Sequence, residues 1–178
     1  MEDLCTAVVR KARVSDVPVI AEIINHHAQN GLMLPRPLSW LYDNIRDYVV
    51  VECDGGIVGG GALHVMWSDL AEIRAVAIRD EYMGKGLGRS VVEALLEEAK
   101  GLGIERVFVL TYRERFFESF GFEIIDKAEL PHKIWSDCVN CVHFPNCNEI
   151  AMIRIIGGPR VCGHGRSDTR GDNNGGEK

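Results

Sequence analysis

The sequence has no hydrophobic run long enough to cross a membrane, because its longest apolar stretches have the length of strands. Its first residues are acidic and lack the apolar core of a signal peptide. Basic residues are in the minority, with 20 Lys and Arg against 26 Asp and Glu and a net charge of −6. This balance argues against nucleic acid as the main partner. We expect a cytoplasmic protein with a small-molecule partner and no membrane partner.

A length of 178 residues with 46% hydrophobic residues indicates one globular domain. We assign residues 1–156 to the domain, with a cysteine-containing insertion at 131–148. Residues 157–178 are rich in glycine and polar residues and are expected to form a flexible tail. In a cytoplasmic protein the six cysteines are expected to be thiols or metal ligands, and Cys5 and Cys53 are interpreted as buried thiols.

Three cysteines in the predicted insertion have part of the spacing of a zinc site. Cys138, Cys141 and Cys147 form the pattern C-x-x-C-x-x-x-x-x-C, whose first pair is half of the usual tetrahedral zinc knuckle. The candidate fourth ligands downstream of that pair are His143, Cys162 and His164. A structural zinc and three reduced thiols are the main alternatives, and an iron–sulfur site is a less favoured third.

Apolar periodicity and turn residues predict a mixed sheet with helices on both faces, in the α/β (α+β) class. The predicted strands are residues 8–12, 48–52, 57–67, 72–78, 106–111, 122–125 and 149–156. The predicted helices are residues 15–29, with Ser15 as the N-cap, 38–45, 87–102 and 114–120. Residues 72–78 are nearly continuously apolar, which favours a central position in the sheet.

A glycine-rich turn, Met83-Gly84-Lys85-Gly86-Leu87-Gly88, joins the predicted central strand to the next helix. Such a turn lets backbone N–H groups approach an anion, and the helix adds the positive end of its dipole. The spacing matches neither the Walker pattern nor the dinucleotide fingerprint. The turn therefore predicts a pyrophosphate cradle, and a turn without a ligand is the alternative.

Two segments resemble the GCN5-related N-acetyltransferase (GNAT) family. Met83-x-x-Gly86-x-Gly88 is similar to the family turn Q/R-x-x-G-x-G/A, and residues 116–122 are similar to the pattern F-Y/F-x-x-x-G-F. They lie in the family's order, with one strand between them. The resemblance implies the GNAT fold, whose twisted mixed sheet is splayed near its middle, and acetyl-CoA as co-substrate. It also implies a homodimer, because family members often pair.

A narrower resemblance, to the acetyltransferase domain of N-acetylglutamate synthases, covers residues 61–64, 67–74, 107–111 and 130–135. Those enzymes acetylate the α-amine of L-glutamate in arginine biosynthesis. The chain has no room for the amino-acid-kinase-like domain that many of them carry, so we expect a short, stand-alone form. The alternatives are acetylation of another amino acid, a polyamine or a protein N-terminus, and a non-catalytic regulatory module that binds acetyl-CoA or a metal.

The resemblance implies a set of residues that contact CoA along the central strand, the turn and the next helix. They are Val76, Ala77, Ile78, Met83, Gly84, Lys85, Gly86, Leu87, Gly88, Arg89 and, from the second motif, Phe117. The N–H of Val76 is expected to stabilise the thioester oxygen. Met83 replaces the usual Gln or Arg. Phe117 stands where many relatives have a tyrosine that protonates the CoA thiolate, and a phenyl ring has no such proton.

Acetyl transfer needs an amine that has lost its proton, and an acceptor with two carboxylates needs fixed cations. Glu72 matches an acidic residue of the synthase pattern and is the candidate base, acting through a water. Its alternative role is to pair with Arg74. The candidate substrate-binding residues are Arg36, Arg74, Thr111 and Lys133, with Arg113 as a weaker candidate. His64 is expected to be structural, and Trp67 and Trp135 either line the site or pack.

Overall fold

A computed structural model describes residues 6–130 and 148–157 of the chain. In this part, seven strands form one sheet in the order β1-β2-β3-β4-β5-β7-β6. The strands are β1 Val8–Lys11, β2 Tyr48–Cys53, β3 Gly56–Val65, β4 Leu70–Ile78, β5 Arg106–Thr111, β6 Glu123–Ile124 and β7 Ile150–Ile155. Only β4 and β5 pair in parallel among these neighbours. The predicted mixed sheet is confirmed.

Four α-helices accompany the sheet: α1 Val17–Gln29, α2 Leu38–Asp43, α3 Leu87–Gly101 and α4 Glu114–Glu118. Side chains alternate between the faces of a strand, so β2 contributes to two cores. Val49 and Val51 pack in the cluster that contains the apolar side of α3, whereas Tyr48 and Val50 pack with α1 and α2. Helices therefore cover both faces, as predicted. No helix of the described residues is long and apolar enough to span a membrane.

Three helix boundaries differ from the prediction by two residues: the start of α1, the end of α2 and the end of α4, which stops at Glu118 rather than Phe120. Ser15 is not the N-cap, because residues Val14–Asp16 form a 3-10 turn and α1 begins at Val17. The carboxylate of Asp16 accepts the backbone N–H of Arg13 and pairs with Arg10, both at 2.7 Å. The second helix ends at Asp43, two residues early, and is followed by a separate 3-10 turn. At the start of α1, the contacts of Asp16 with Arg10 and Arg13 accompany the 3-10 turn.

Cys53 is the one cysteine within the described residues, and it forms a disulfide bond. The prediction of a free thiol there is therefore wrong, since residue type alone does not reveal a covalent pairing. The predicted zinc ligands Cys138, Cys141 and Cys147 lie outside the described residues. Among the residues that are described, no group of His, Cys, Asp and Glu side chains is arranged to hold a metal ion. The zinc site stays a prediction.

The sheet opens between β4 and β5. Their parallel ladder has three residue pairs, the last of which joins Glu72 to Phe108. Beyond that pair β4 continues to Ile78 and β5 to Thr111, so the two strands diverge. The predicted splaying of the sheet is confirmed, and within the described residues no strand pairs with this edge of β4 beyond Glu72.

A β-bulge lies within the diverging part of β4. Gly60 on β3 pairs with Ala77, whereas Ala62 pairs with Arg74. Two residues of β4, Ala75 and Val76, therefore face a single residue of β3. Ala75 takes the left-handed conformation, with φ +55°, which costs a residue with a side chain about 1–3 kcal/mol. The bulge changes the direction of the β4 backbone inside the opening.

Three successive glycines on β3 lie beside the bulge, and none of them has room for a side chain. A Cβ on Gly60 would lie 2.5 Å from the carbonyl oxygen of Val49. A Cβ on Gly61 would lie 2.9 Å from Val91 Cγ1 and 3.1 Å from Val76 Cγ2. The glycines thus allow β2, the bulged β4 and α3 to approach β3 closely.

We expect Gly60→Ala to lower the free energy of unfolding by roughly 1–3 kcal/mol, because the added methyl group forces a backbone shift. Gly56→Ala on the same strand is the matched control, since its Cβ would lie 3.9 Å from the nearest backbone oxygen. Urea unfolding midpoints of the two variants measure the difference. Equal midpoints would show that β3 tolerates a side chain at the bulge.

Candidate active site

A cavity of about 1100 Å³ occupies the opening between β4 and β5. The first turn of α3 and the loop before α2 also border it. Within the described residues, every predicted catalytic, cofactor and substrate residue lines this cavity except Lys85. Lys133 lies outside the described residues. The fold thus gathers residues from four separate segments of the sequence around one space.

The glycine turn forms a cradle of backbone at the start of α3. Gly84 and Gly86 have φ values of +77° and +80°, which glycine adopts without strain. A Cβ on either residue would meet nothing within 4 Å, so space is open beside the loop. Gly86 is the N-cap of α3, and the next three N–H groups have no acceptor within the helix. This geometry suits an anion, so the residues present fit a pyrophosphate.

The second predicted motif packs directly against the cradle. A Cβ on Gly88 would lie 3.5 Å from the ring of Phe116, so only a small residue lets the helix approach this ring. Phe116 in turn contacts Phe117 edge-on, with ring centres 5.1 Å apart. Arg89 donates to Ser119 Oγ at 3.0 Å and lies over the ring of Phe120. The two sequence motifs therefore form one structural unit.

Phe117 is buried among the other phenylalanines of this unit and lines the cavity. Its ring packs edge-on against Phe122, with centres 5.5 Å apart. A phenyl ring carries no ionisable proton, so Phe117 contributes packing and shape to the cavity. Lys85 lies outside the cavity lining, where its Nζ is 5.1 Å from the ring centre of Tyr82, a lining residue.

Two histidines of α1 hold the end of β4 and the turn that precedes the cradle. His27 is buried, with its Nε2 2.8 Å from the carbonyl oxygen of Ile78. The Nε2 of His26 lies 2.8 Å from the carboxylate of Asp80, and this hydrogen bond lowers the pKa of Asp80. Sequence reasoning missed both histidines, because they lie more than fifty positions from their partners. Their adjacency on an amphipathic helix was the only local signal.

Glu72 and Arg74 lie where β4 and β5 separate, on the sheet face covered by α1 and α2. The Glu72 side chain is 14% exposed, and its Oε2 is 3.9 Å from Arg74 Nη1. Arg74 Nη2 donates to Asn44 Oδ1 at 3.1 Å and lies 3.5 Å from Asp47 Oδ2. Both sequence interpretations of Glu72 are thus compatible with the geometry, since its carboxylate lines the cavity and also approaches Arg74.

Arg36 reaches the same region from the loop before α2. The Asn25 side chain accepts the backbone N–H of Arg36 at 3.0 Å and donates to its carbonyl oxygen at 3.2 Å. The Arg36 guanidinium lies 4.1 Å from the ring centre of Trp40, and that of Arg74 lies 4.7 Å from the same ring. Sequence reasoning missed Trp40, whose position in a short helix gave no sign of its two cationic neighbours.

The remaining candidates divide between the cavity and the surface. Thr111 and Arg113 line the cavity, and Thr111 Oγ1 accepts the backbone N–H of Arg113 at 2.9 Å. His64 lies outside the lining, with its Nδ1 2.6 Å from Asp47 Oδ2, which fits the predicted structural role. Trp67 is 61% exposed and also lies outside the lining. Trp135, like Lys133, falls outside the described residues.

The electrostatic surroundings of Arg36 and Arg74 extend to a buried tyrosine. Burial raises the pKa of Tyr48 to about 12, while the nearby charges of Arg74 and Arg36 act in the opposite direction. The Tyr48 hydroxyl has no hydrogen-bond partner among the described residues. Tyr48 therefore stays a neutral phenol at physiological pH beside the two guanidinium groups.

A splayed mixed sheet, a backbone cradle at a strand-to-helix junction and a cavity that joins them suit a ligand with a pyrophosphate and an extended arm. Residues 20–122 match the sequence profile of the acetyltransferase (GNAT) family. The chain belongs to this family and is an acetyl-CoA-dependent N-acetyltransferase. The family resemblance that the two motifs carry is confirmed.

Two relatives match most of the length of the chain. The chain is 38% identical over 148 residues to an uncharacterized N-acetyltransferase of Chlorobaculum tepidum. This match covers 83% of this chain and 96% of the relative. It is 40% identical over 136 residues to an amino-acid acetyltransferase of Mycobacterium tuberculosis. This match covers 75% of this chain and 78% of the relative.

A solved structure of N-acetylglutamate synthase from Neisseria gonorrhoeae, complexed with coenzyme A and N-acetyl-glutamate, is also similar. The TM-score is 0.78 at 26% identity, and the match covers 85% of this chain and 35% of that one. The chain therefore spans about a third of that synthase.

Proposed function

We propose that this acetyltransferase acts on amino acids and that its acceptor is L-glutamate, as in the first step of arginine biosynthesis. One observation carries the proposal: the guanidinium groups of Arg36 and Arg74 lie together on the ring of Trp40, beside Glu72. Guanidinium groups are suited to bidentate carboxylate binding. The similarity to an amino-acid acetyltransferase and to a synthase complexed with N-acetyl-glutamate supports the same acceptor.

The cradle and the inner edge of β4 are proposed to hold acetyl-CoA, which supplies the acetyl group as a thioester. The backbone N–H groups of Gly84 to Arg89 bind the pyrophosphate, and Lys85 and the Arg89 side chain add positive charge. Backbone groups of Val76 to Ile78 bind the pantetheine arm in the opening of the sheet. The bulge beside Val76 supports its proposed role, since it frees backbone groups from regular pairing at the point where β4 and β5 diverge.

Glu72 is proposed to remove the proton from the acceptor amine through a water molecule. An ammonium group has no lone pair, so the amine can form the new N–C bond only after it loses this proton. The Val76 N–H then stabilises the negative charge that develops on the acetyl oxygen. Phe117 has no proton to give, so the sulfur leaves with the electrons of the C–S bond as a thiolate, which either stays unprotonated or takes a proton from water or from another group.

The two arginines are proposed to bind the two carboxylates of the acceptor. Among the residues that the structure describes, no carboxylate lies within 4.0 Å of the Arg36 guanidinium. Arg74, in contrast, approaches both Asp47 and Glu72. We therefore expect Arg36 to contribute most to carboxylate affinity. The charge of Arg36, which no described carboxylate approaches within 4.0 Å, disfavours polyamines and favours acceptors with a carboxylate.

Arg36→Ala is expected to raise the KM for L-glutamate about 10- to 100-fold, because it removes a charge-assisted, hydrogen-bonded pair with a carboxylate of the acceptor. The KM for acetyl-CoA should stay within about twofold, because Arg36 is remote in sequence from the cradle and contacts Trp40 instead. Steady-state kinetics with each substrate varied in turn measures both constants. Arg46→Ala is the matched control, since Arg46 is exposed and does not line the cavity. Equal increases in both KM values would contradict a carboxylate-binding role.

The proposed function is tested by the rate of CoA release with single acceptors. The panel contains L-glutamate, L-glutamine, L-aspartate, L-lysine and spermidine at equal concentrations. The proposal predicts the highest kcat/KM for L-glutamate and the lowest for spermidine. Faster turnover of spermidine or L-lysine would remove the amino-dicarboxylate assignment and leave the acetyltransferase assignment intact.

A further inference from the structure

We infer that Trp40 is a positioning residue for the acceptor, whose indole ring holds the guanidinium groups of Arg36 and Arg74 in place to receive carboxylates. The inference rests on the proposed function, since it concerns the same acceptor pocket. Trp40 carries no charge itself, so it would organise the pocket only through its contacts with the two guanidinium groups.

The geometry around the ring is that of a double cation–π contact. The Cζ atom of Arg36 lies 4.1 Å from the ring centre of Trp40, and that of Arg74 lies 4.7 Å away. Both distances are within the range of about 6 Å in which the negative face of an aromatic ring attracts a cation, and tryptophan is the strongest of the aromatic residues. Trp40 is half-buried and lines the cavity, so the contacts occur where solvent is partly excluded.

Asn44, one helical turn after Trp40, strengthens the arrangement. Its Nδ2 donates to the carbonyl oxygen of Trp40 at 2.8 Å, and its Oδ1 accepts from Arg74 Nη2 at 3.1 Å. The side chain of Asn44 therefore links the backbone that carries the ring to one of the cations on the ring. On the other side, Asn25 fixes the backbone of Arg36 through two hydrogen bonds. The Arg74 guanidinium is thus held by the ring and by Asn44, whereas the Arg36 guanidinium is held by the ring and only its backbone is fixed by Asn25.

An aromatic ring has an advantage over a carboxylate as the holder of these cations. A carboxylate would occupy the N–H groups in the plane of the guanidinium and would compete with the carboxylate of the acceptor. A ring that contacts the guanidinium through its face leaves these in-plane donors available. Long arginine side chains lose rotamer freedom when they bind, and a prior contact reduces the freedom that remains to be lost. Trp40 therefore pre-organises the Arg36 guanidinium for an anionic partner without neutralising it, and it holds Arg74 beside it, where Asp47 and Glu72 also approach Arg74.

The first test compares substitutions of Trp40. Trp40→Leu removes the ring face and keeps apolar volume, and it is expected to raise the KM for L-glutamate about tenfold. Trp40→Phe keeps a weaker aromatic face, and it is expected to raise the same KM about threefold. Both variants should keep the acetyl-CoA dissociation constant within about twofold, because the cradle is formed by separate elements. Tyr42→Leu removes an exposed ring of the same helix outside the cavity and should match the wild type.

A double-mutant cycle distinguishes positioning from a general loss of structure. If Trp40 acts through the arginines, Trp40→Leu should raise the KM of the Arg36→Ala variant only about threefold rather than tenfold. Fully multiplicative effects of the two substitutions would overturn the inference, because independent structural damage is additive in free energy.

The outcomes for the wild type separate this inference from the proposed function. Turnover of L-glutamate by the wild type together with an unchanged KM in Trp40→Leu would overturn the role of Trp40 alone. A wild-type protein that acetylates no carboxylate-bearing amine would overturn the proposed function, and the role of Trp40 with it.

Discussion

Replacement of Glu72 by Gln is expected to lower kcat by about 100- to 1000-fold, the usual contribution of a positioned general base. Gln keeps the size and polarity of the side chain but cannot accept the proton of the acceptor amine. The rate should then depend on the small fraction of acceptor that is already deprotonated, so kcat should rise with pH over the range in which the amine titrates. Stopped assays of CoA release between pH 6 and pH 10 measure this profile.

Glu97→Gln is the control for the loss of a carboxylate, because Glu97 is exposed on α3, pairs with Lys100 and lies outside the cavity. The acetyl-CoA dissociation constant of Glu72→Gln should equal that of the wild type, which separates catalysis from binding. A wild-type kcat and pH profile in Glu72→Gln would rule out the base and leave Glu72 as a partner of Arg74.

Replacement of Gly86 by Val is expected to weaken acetyl-CoA binding at least about 100-fold, as a β-branched residue does not adopt the left-handed conformation that the cradle requires. Gly86 has φ +80° and caps the N-terminus of α3, so a different conformation there redirects the N–H groups of the cradle. The substitution also brings two methyl groups to the surface that the pyrophosphate is proposed to approach. Isothermal titration with acetyl-CoA measures the dissociation constant.

Gly101→Ala at the other end of α3 is the matched control. A Cβ there would meet nothing within 4 Å, and Gly101 has no positive φ, so acetyl-CoA affinity should be unchanged. Circular dichroism of Gly86→Val shows whether the variant is folded, so that a loss of affinity can be assigned to the cradle rather than to unfolding. Unchanged affinity in folded Gly86→Val would remove the cradle from the proposed CoA site.

The sequence predicts the interior of the sheet well because the relevant signals are local. The strand at 106–111 has the predicted bounds, and α3 ends within one residue of its prediction. A short run of apolar residues, or an apolar stripe followed by glycine, is sufficient for such predictions. The start of α1 was not predictable in this way, since Asp16 is engaged by Arg10 from a different element and Ser15 is left without a capping role.

The residues of the candidate site also differ in whether local sequence signals could predict them. The glycine cradle and Glu72 can be proposed from short sequence motifs, because the glycine spacing and the carboxylate are visible within a few neighbouring residues. Trp40 and His27 acquire their roles only from side chains and carbonyl groups that the fold brings to them. The bulge at Ala75 gave no signal in its own residue, since alanine is not typical of positive φ. The sequence indicates the bulge only indirectly, through the glycine triplet 59–61 on the neighbouring strand.

One competition experiment tests the central claim most directly. The protein is incubated with isotopically labelled acetyl-CoA and an equimolar mixture of L-glutamate, L-glutamine, L-aspartate, L-lysine and spermidine, and the acetylated products are quantified by mass spectrometry. The account predicts N-acetyl-L-glutamate as the main product, with its share reduced in Arg36→Ala. A product distribution led by acetylated lysine or spermidine, and insensitive to Arg36, would contradict the account.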